Sequence, residues 1–437
     1  MAPRGLLIEG AAQVATLAGG LRRGAGQADA AILDRAGPFS VASWDGRVIA
    51  VGPRDVVAAR LEDAGHEAAD FAVIDASGRL VTPGLIDAHT HLVFAGTREA
   101  EWQMRLHGAS YLEVLESGGG ILSTVADTRA ADADRLAALA RARLDEMLAC
   151  GTTTAEAKSG YGLSTESELR MLEVIGRLAD EGPIELVPTY LGAHAVPPEF
   201  RRYGATATEE YVTSIIAEQL PAVASQGIAR FCDVFCEAGV FTAPQTSAIL
   251  DAARHHGLQL RIHADELAPS GGAELAAAVG CRSADHLASP SDEGVRALAD
   301  VAATDHPVVA TLLPATAWFM GKHHFAPARR YIEAGIPVAI ATDLNPGTSP
   351  TVSLPLVMSI ACLEMGLSPA EALVATTINA AHSVGLGDTI GSIEPGKQAD
   401  LVVWDVPTVD QLAYWLGARS ARTVIKRGAV VFDRSGS

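Results

Sequence analysis

The chain has 437 residues, 49% of them hydrophobic, and its 52 acidic against 33 basic side chains give a formal net charge of −19. That length exceeds what one hydrophobic core usually encloses, so a large domain joined to a smaller one is expected. The acidic balance argues against nucleic acid and anionic membrane surfaces as partners, and it means that an anionic substrate needs a local cationic clamp.

The opening Met1-Ala-Pro-Arg-Gly-Leu-Leu-Ile-Glu9 carries an acid too early for a signal h-region, and no apolar run is long enough to span a bilayer. The five cysteines, at 150, 232, 236, 281 and 362, show neither Cys-x-x-Cys pairs nor disulfide-rich spacing. A cytoplasmic protein with reduced thiols is expected, with Cys232 and Cys236 as core packing. Residues 1–80 read as short β-rich pieces: Phe39-Ser-Val-Ala-Ser-Trp44, Arg47-Val-Ile-Ala-Val51 and Phe71-Ala-Val-Ile-Asp75. Asp45-Gly46 between the first two signals a hairpin.

Residues 81–390 alternate strand and helix. Strand candidates are 84–89, 153–158, 185–192, 231–236, 259–263, 283–286, 308–313 and 338–342. Helical patterns cover 131–149, 165–180, 208–225, 244–256, 272–279, 292–301 and 326–334. The second is expected to open with a Thr165-x-x-Glu168 capping box and to close at Gly182. Eight strands with crossover helices predict an α/β fold, a (β/α)8 TIM-like barrel whose site lies at the C-terminal strand ends. The long stretch from Leu92 to Arg129 is expected to cover the barrel mouth. Its Gly118-Gly-Gly120 is no phosphate loop, because no Gly-Lys-Ser/Thr follows. Residues 391–437 return to β-rich pieces, Asp400-Leu-Val-Val-Trp404, Thr423-Val-Ile-Lys426 and Arg427-Gly-Ala-Val-Val-Phe432. Neither terminus promises enough strands for a sheet of its own, so 1–80 and 391–437 are expected to build one small β-sandwich together.

The strand ends carry the chemistry. Val81-Thr-Pro-Gly-Leu-Ile-Asp-Ala-His-Thr-His91 sends two imidazoles, two residues apart, to one side of a strand end. His263, His286 and Asp343 end later strands, and Glu266 follows His263 by three residues. Three imidazoles and one carboxylate suit one zinc or iron ion. Such an ion, with one position open, makes water a nucleophile at neutral pH. Glu266, close by on the loop, suits proton transfer; its structural alternative is charge at the start of the helix opened by Ser270-Gly-Gly272. Arg98 suits a bidentate grip on a carboxylate. Asn345, before Pro346, has backbone capping as a competing role. His255, His256, His323 and His324 read as surface residues.

The segments His89-Thr-His-Leu-Val-Phe-Ala-Gly-Thr-Arg98, Lys158-Ser-Gly-Tyr-Gly162, Gly192-Ala-His194, His263-Ala-Asp-Glu266, Ala284-Asp-His286 and Ala341-Thr-Asp-Leu-Asn-Pro-Gly347 resemble the amidohydrolase superfamily. Within it they resemble the members that open an imidazolone ring in histidine degradation. Leu313-Pro-Ala-Thr-Ala-Trp318 departs from the Pro-Gly-Ala-aromatic form of many relatives. The resemblance implies metal ligands His89, His91, His263 and Asp343, holding one divalent or trivalent ion, zinc or iron. It implies Glu266, His286 and Asp343 as catalytic, and Arg98, Tyr161, His194, Glu266, Asn345, Gly347 and Thr348 as substrate contacts. Relatives with two metals bridge them by a carboxylated lysine at strand four, where this chain offers Glu237, so Lys158 is not expected in that role. The reaction implied is hydrolysis of the cyclic amide of 4-imidazolone-5-propanoate to N-formimidoyl-L-glutamate. A guanine- or cytosine-type aminohydrolase and an inactive scaffold are the competing readings. The expected partner is a small anionic substrate, with a homodimer as the candidate assembly.

Overall fold

The computed structural model describes residues 4–35, 37–109, 113 and 118–434. Eight strands form one parallel sheet in strict chain order: Leu85–Asp87, Thr152–Lys158, Glu185–Ala193, Phe231–Cys236, Gln259–Ala264, Ser283–His286, Val309–Leu312 and Val338–Ile340. Chain order with parallel neighbours is what repeated βα crossovers produce. The eighth strand returns to the first through side chains as well as backbone. Thr342 donates its N–H (3.0 Å) and its hydroxyl (2.6 Å) to the Asp87 carboxylate, which burial pushes up to about 7. Thr90 and Leu344 form a parallel bridge beyond the regular strands. Across the same seam Asp343 N donates to His89 O at 3.1 Å, and His91 N to Leu344 O at 2.9 Å.

The expected helical stretches form, with differences in detail, and further helices at Arg54–Asp63, Pro314–Phe319, Leu354–Met365, Pro369–Ala375, Ile378–Ser383 and Val409–Tyr414 lie outside them. Thr165–Glu181 buries Met171, Leu172, Ile175 and Leu178 on one face, the i, i+4, i+7 spacing that sets a helix against a sheet. Its cap, however, is Ser164, whose hydroxyl accepts the Ser167 N–H. Glu168 turns inward and accepts the N–H groups of Gly160, Gly162 and Leu163; a buried carboxylate needs those donors more than a capping box needs it. The span expected at 208–225 divides into Ala207–Ser214, a wider π turn at Ile215–Gln219, and Leu220–Gln226. Pro221 lies just past that turn, and its ring would clash with a carbonyl of a regular preceding turn. The stretch 92–129 includes the helices Glu99–Leu106 and Ile121–Ala130; 110–112 and 114–117 of that expected cover lie outside the described residues.

The β-rich ends form two facing sheets. Arg47–Pro53, Phe39–Trp44, Gly5–Ala11 and Phe71–Asp75 make a four-stranded sheet from the N-terminal part alone, so that part supplies more strands than its sequence pattern promised. The second sheet mixes both ends, in the order Ala429–Asp433, Ala421–Lys426, Leu401–Trp404, Leu80–Pro83, Gln13–Ala15, Ile32–Leu33. Ile8, Val14, Phe39, Val41, Val81, Leu401, Val403 and Ile425 share one buried cluster between them. Asp45-Gly46 turns the first hairpin as expected, with both residues at positive φ. The chain passes from sandwich to barrel at Gly84, where a Cβ would lie 2.1 Å from the Thr153 hydroxyl. Lys426 ties the two bodies together, donating to Asp400 at 2.8 Å and to Glu185 of the third barrel strand at 3.0 Å.

Candidate active site

His89 and His91 follow the first barrel strand, which ends regularly at Asp87, and their ring centroids lie 5.3 Å apart. Asp343, after the eighth strand, places Oδ1 3.5 Å from Nε2 of both histidines. The His263 ring, on the fifth strand, is 4.5 Å from that of His89 and 5.5 Å from that of His91. All four residues are buried. Donor atoms of His89, His91 and Asp343 lie within 4.8 Å of one another, as do those of His89, His263 and His286. Ligands around one tetrahedral ion at 2.0–2.2 Å stand roughly 3.3–3.6 Å apart, so the 3.5 Å separations fit a shared ion. Nε2 of His89 and of His263 are buried without a hydrogen-bond partner, a costly state that a cation relieves. The donor set therefore fits a metal.

Behind these candidate ligands stands a layer that sequence reasoning missed. His89 Nδ1–H donates to Asp285 at 2.6 Å and His263 Nδ1–H to Asp233 at 3.0 Å. These bonds fix each ring with Nε2 facing inward, the arrangement that orients imidazole ligands. Asp285 in turn accepts from Arg261 at 2.9 Å and from the Ser283 hydroxyl. Lys158 donates to Asp233 at 2.7 Å and to Glu156 at 2.8 Å. Burial works against the Lys158 ammonium, yet Asp233 and Glu156 raise its pKa above the usual lysine value. Burial likewise opposes ionisation of Asp233, but His263 and Lys158 hold its carboxylate well below the ordinary range. The signal was present in sequence: an acid or lysine inside a buried strand, as in Thr152–Lys158, requires an opposite charge. Only the partner was illegible.

A cavity of about 230 Å³ opens beside the ligands, lined by Glu266, His286, Pro314, Thr316, Lys322 and His324 among others. Glu266 Oε2 lies 3.7 Å from His286 Nε2, and the glutamate side chain is 19% exposed. The helix at Gly272–Val279 takes its N-terminal acceptor from Asp265 instead, which receives the N–H groups of Ser270, Gly272 and Ala273. Glu266 is thereby left facing the cavity. Glu237 accepts from Ala238 and Leu267 N–H, pinning the loop that carries Glu266. Thr316, in the stretch that departs from the family form, donates its hydroxyl to Asp343 Oδ2 at 2.6 Å. His324 is exposed as expected but lines the cavity, 3.4 Å from the Ser289 hydroxyl. His286 and Asp343 both sit at positive φ, 72° and 53°, a strained conformation that functional sites retain.

Of the residues expected to touch substrate, His194 stacks on His91 at 4.9 Å and 16° and donates from Nδ1 to Gly160 O at 2.9 Å. Burial and the neighbouring His263 depress its pKa to about 3, so the ring is neutral. Tyr161 lies 5.3 Å from His194 and 5.7 Å from His91, its phenol pushed up by burial. Asn345 spends its side chain on the loop: Oδ1 accepts from Gly347 and Thr348 N–H, and Nδ2 donates to Asp343 O and to the Thr348 hydroxyl. The capping role that competed in sequence is thus the one observed. Arg98 reaches the same loop, its guanidinium against Gly347, but it is paired with Glu101 at 2.7 Å rather than standing alone.

Residues 80–431 match the Amidohydrolase family. The chain is 54% identical to the imidazolonepropionase of Geobacillus kaustophilus (strain HTA426), over 89% of each chain. It is 48% identical to that of Brevibacillus brevis (strain 47 / JCM 6285 / NBRC 100599), over 97% of each. Among solved structures, E. coli guanine deaminase shares the fold with a TM-score of 0.67 at 16% identity, covering 98% of this chain and 99% of that one.

Proposed function

The chain belongs to the Amidohydrolase family, in its imidazolonepropionase branch, and on that footing we propose that it opens 4-imidazolone-5-propanoate to N-formimidoyl-L-glutamate. Water adds to the ring carbonyl carbon, the ring C–N bond breaks, and the departing nitrogen takes up a proton. The observation that carries the reading is the convergence of three imidazoles and a carboxylate beside an uncommitted glutamate and an arginine. The likeness to guanine deaminase is one of fold alone and does not favour a nucleobase. Retention of the whole donor set also speaks against an inactive scaffold.

His89, His91, His263 and Asp343 would hold one ion, zinc or iron, since both accept three nitrogens and an oxygen. A bound ion polarises the carbonyl and lowers the pKa of coordinated water. Glu266 takes the proton of the attacking water, as a carboxylate facing a cavity can. His286 donates to the oxygen on which charge develops. Glu266 and Asp343 pass the proton to the leaving nitrogen. Tyr161, His194 and the Asn345–Thr348 loop bound the ring, and Arg98 takes the propanoate. Among the described residues no helix is long and apolar enough to cross a membrane. We place the reaction in the cytoplasm, where the free cysteines stay reduced, with a homodimer as the expected assembly.

The test is a hydrolysis assay on imidazolonepropanoate beside cytosine and guanine, with wild type and Arg98→Lys. Ring opening with a clearly raised KM in the variant is expected, because lysine keeps the charge and loses the planar fork. Ammonia release from a nucleobase, untouched by Arg98→Lys, would overturn the reading. A second measurement addresses the layer behind the ligands. Asp285→Asn weakens the acceptor that aims His89 and should cost about 10- to 100-fold in metal affinity, read by competition with a chelator. Unchanged affinity would remove Asp285 from that role.

A further inference from the structure

The Arg98 guanidinium is half-committed within the protein. Nε donates to both Glu101 oxygens at 2.9 Å, and Nη2 donates to Oε2 at 2.7 Å. The two side chains are only 13% and 9% exposed. Glu101 is itself held by the backbone N–H of Gly120 at 2.9 Å and by the Ser123 hydroxyl at 3.4 Å. The triple glycine therefore has a job, since its last member anchors the carboxylate that anchors Arg98. Burial opposes the Glu101 charge, but Arg98 and the Gly120 N–H hold its pKa below the usual value.

Arginine carries five N–H donors in a planar fork. Glu101 occupies the edge formed by Nε and Nη2, leaving the edge formed by Nη1 and the second Nη2 hydrogen. Gly347 packs against the guanidinium beside Nη1, where a Cβ would stand 2.0 Å from Nη1, 2.5 Å from Cζ and 3.2 Å from Nε. Any side chain there would push the guanidinium away. Arg105, one helical turn beyond Glu101, donates to Gly347 O at 2.9 Å, and burial together with nearby Arg98 lowers its pKa. Two guanidinium groups over one resident carboxylate leave one net positive charge, which matches one carboxylate arm.

We propose that Glu101 is a positioning residue that fixes Arg98 by one edge so that the other edge receives a monocarboxylate arm of the substrate. The proposal takes the identity of that arm from the reaction proposed above. Glu101 acts through Arg98 and touches no reacting atom. Its loss should therefore weaken recognition of the arm and leave ring opening largely intact.

The test uses the metal-loaded enzyme and two unreactive probes, imidazole-4-propanoate and its neutral amide, with affinities read by calorimetry. Glu101→Gln should weaken the carboxylate probe about tenfold or more, the scale of one lost charge-assisted hydrogen bond, and leave the amide probe unchanged. With imidazolonepropanoate, KM should rise by a similar factor while kcat and metal content hold. In an Arg98→Lys background the Glu101→Gln effect should largely vanish, because lysine has no second edge to aim. Should Glu101→Gln fail to fold, Glu101→Asp, which keeps the charge but shortens the reach to Arg98, should give the same selective loss. Equal or tighter binding of the carboxylate probe by a folded variant would overturn the role, as would equal loss on both probes. A wild type that binds the carboxylate probe in a Glu101-dependent way yet leaves imidazolonepropanoate intact would uphold Glu101 and sink the reaction instead.

Discussion

His263→Ala is expected to abolish turnover and to lower bound metal from about one ion per chain to near none, with His89→Ala behaving alike. Both rings present a buried Nε2 without a protein partner and are aimed by a carboxylate on Nδ1. Removing His263 takes away one donor and also leaves Asp233 facing Lys158 without its imidazole. The remaining donors, His89, His91 and Asp343, still cluster, so the fold should persist while affinity collapses. Elemental analysis of protein purified without added metal measures this directly. Two equivalents of metal in wild type would contradict a single-ion site, and full retention by the variant would remove His263 from the ligand set.

Glu266→Gln should separate binding from chemistry. The amide keeps the shape of the side chain and loses its basic site, so turnover should fall by about 10²- to 10⁴-fold, the usual worth of a general acid–base group. Metal content should not change, because the donor atoms that cluster are those of His89, His91, His263, His286 and Asp343. Nor should the loop collapse, since Asp265 caps the following helix and Glu237 holds Leu267 N–H. Single-turnover rates and metal analysis on the same preparation decide it. Loss of the ion would make Glu266 a ligand.

The barrel was legible because eight short strand candidates alternate with helical stretches, the pattern that repeated βα crossovers produce. The candidate ligands were legible because they stand at the C-terminal strand ends, His89 and His91 after the first strand, His263 on the fifth and Asp343 after the eighth. What stayed hidden depends on pairing in space. Asp233 and Asp285 lie inside strands, and nothing in a linear pattern says which cation faces them. Glu168 stands three residues after Thr165, the expected cap, yet the buried N–H groups of Gly160, Gly162 and Leu163 claim it. Gly5–Ala11 was hidden because its strand character shows only against Phe39–Trp44 and Phe71–Asp75. Arg98 was recognised as a clamp, but its partner Glu101 was not, because a carboxylate three residues on along a helix reads as an ordinary surface pair.

The seam between the first and eighth barrel strands gives the protein a calendar. His89 and His91 leave the ribosome some 250 residues before Asp343 does, and the backbone bonds joining these segments are the ones that complete the ring of strands. An early segment thus waits, imidazoles unmatched, until nearly the whole barrel has been synthesised. An ion held by all four residues would therefore be captured late, once Asp343 has joined the two histidines, while the backbone bonds of the seam close the ring themselves.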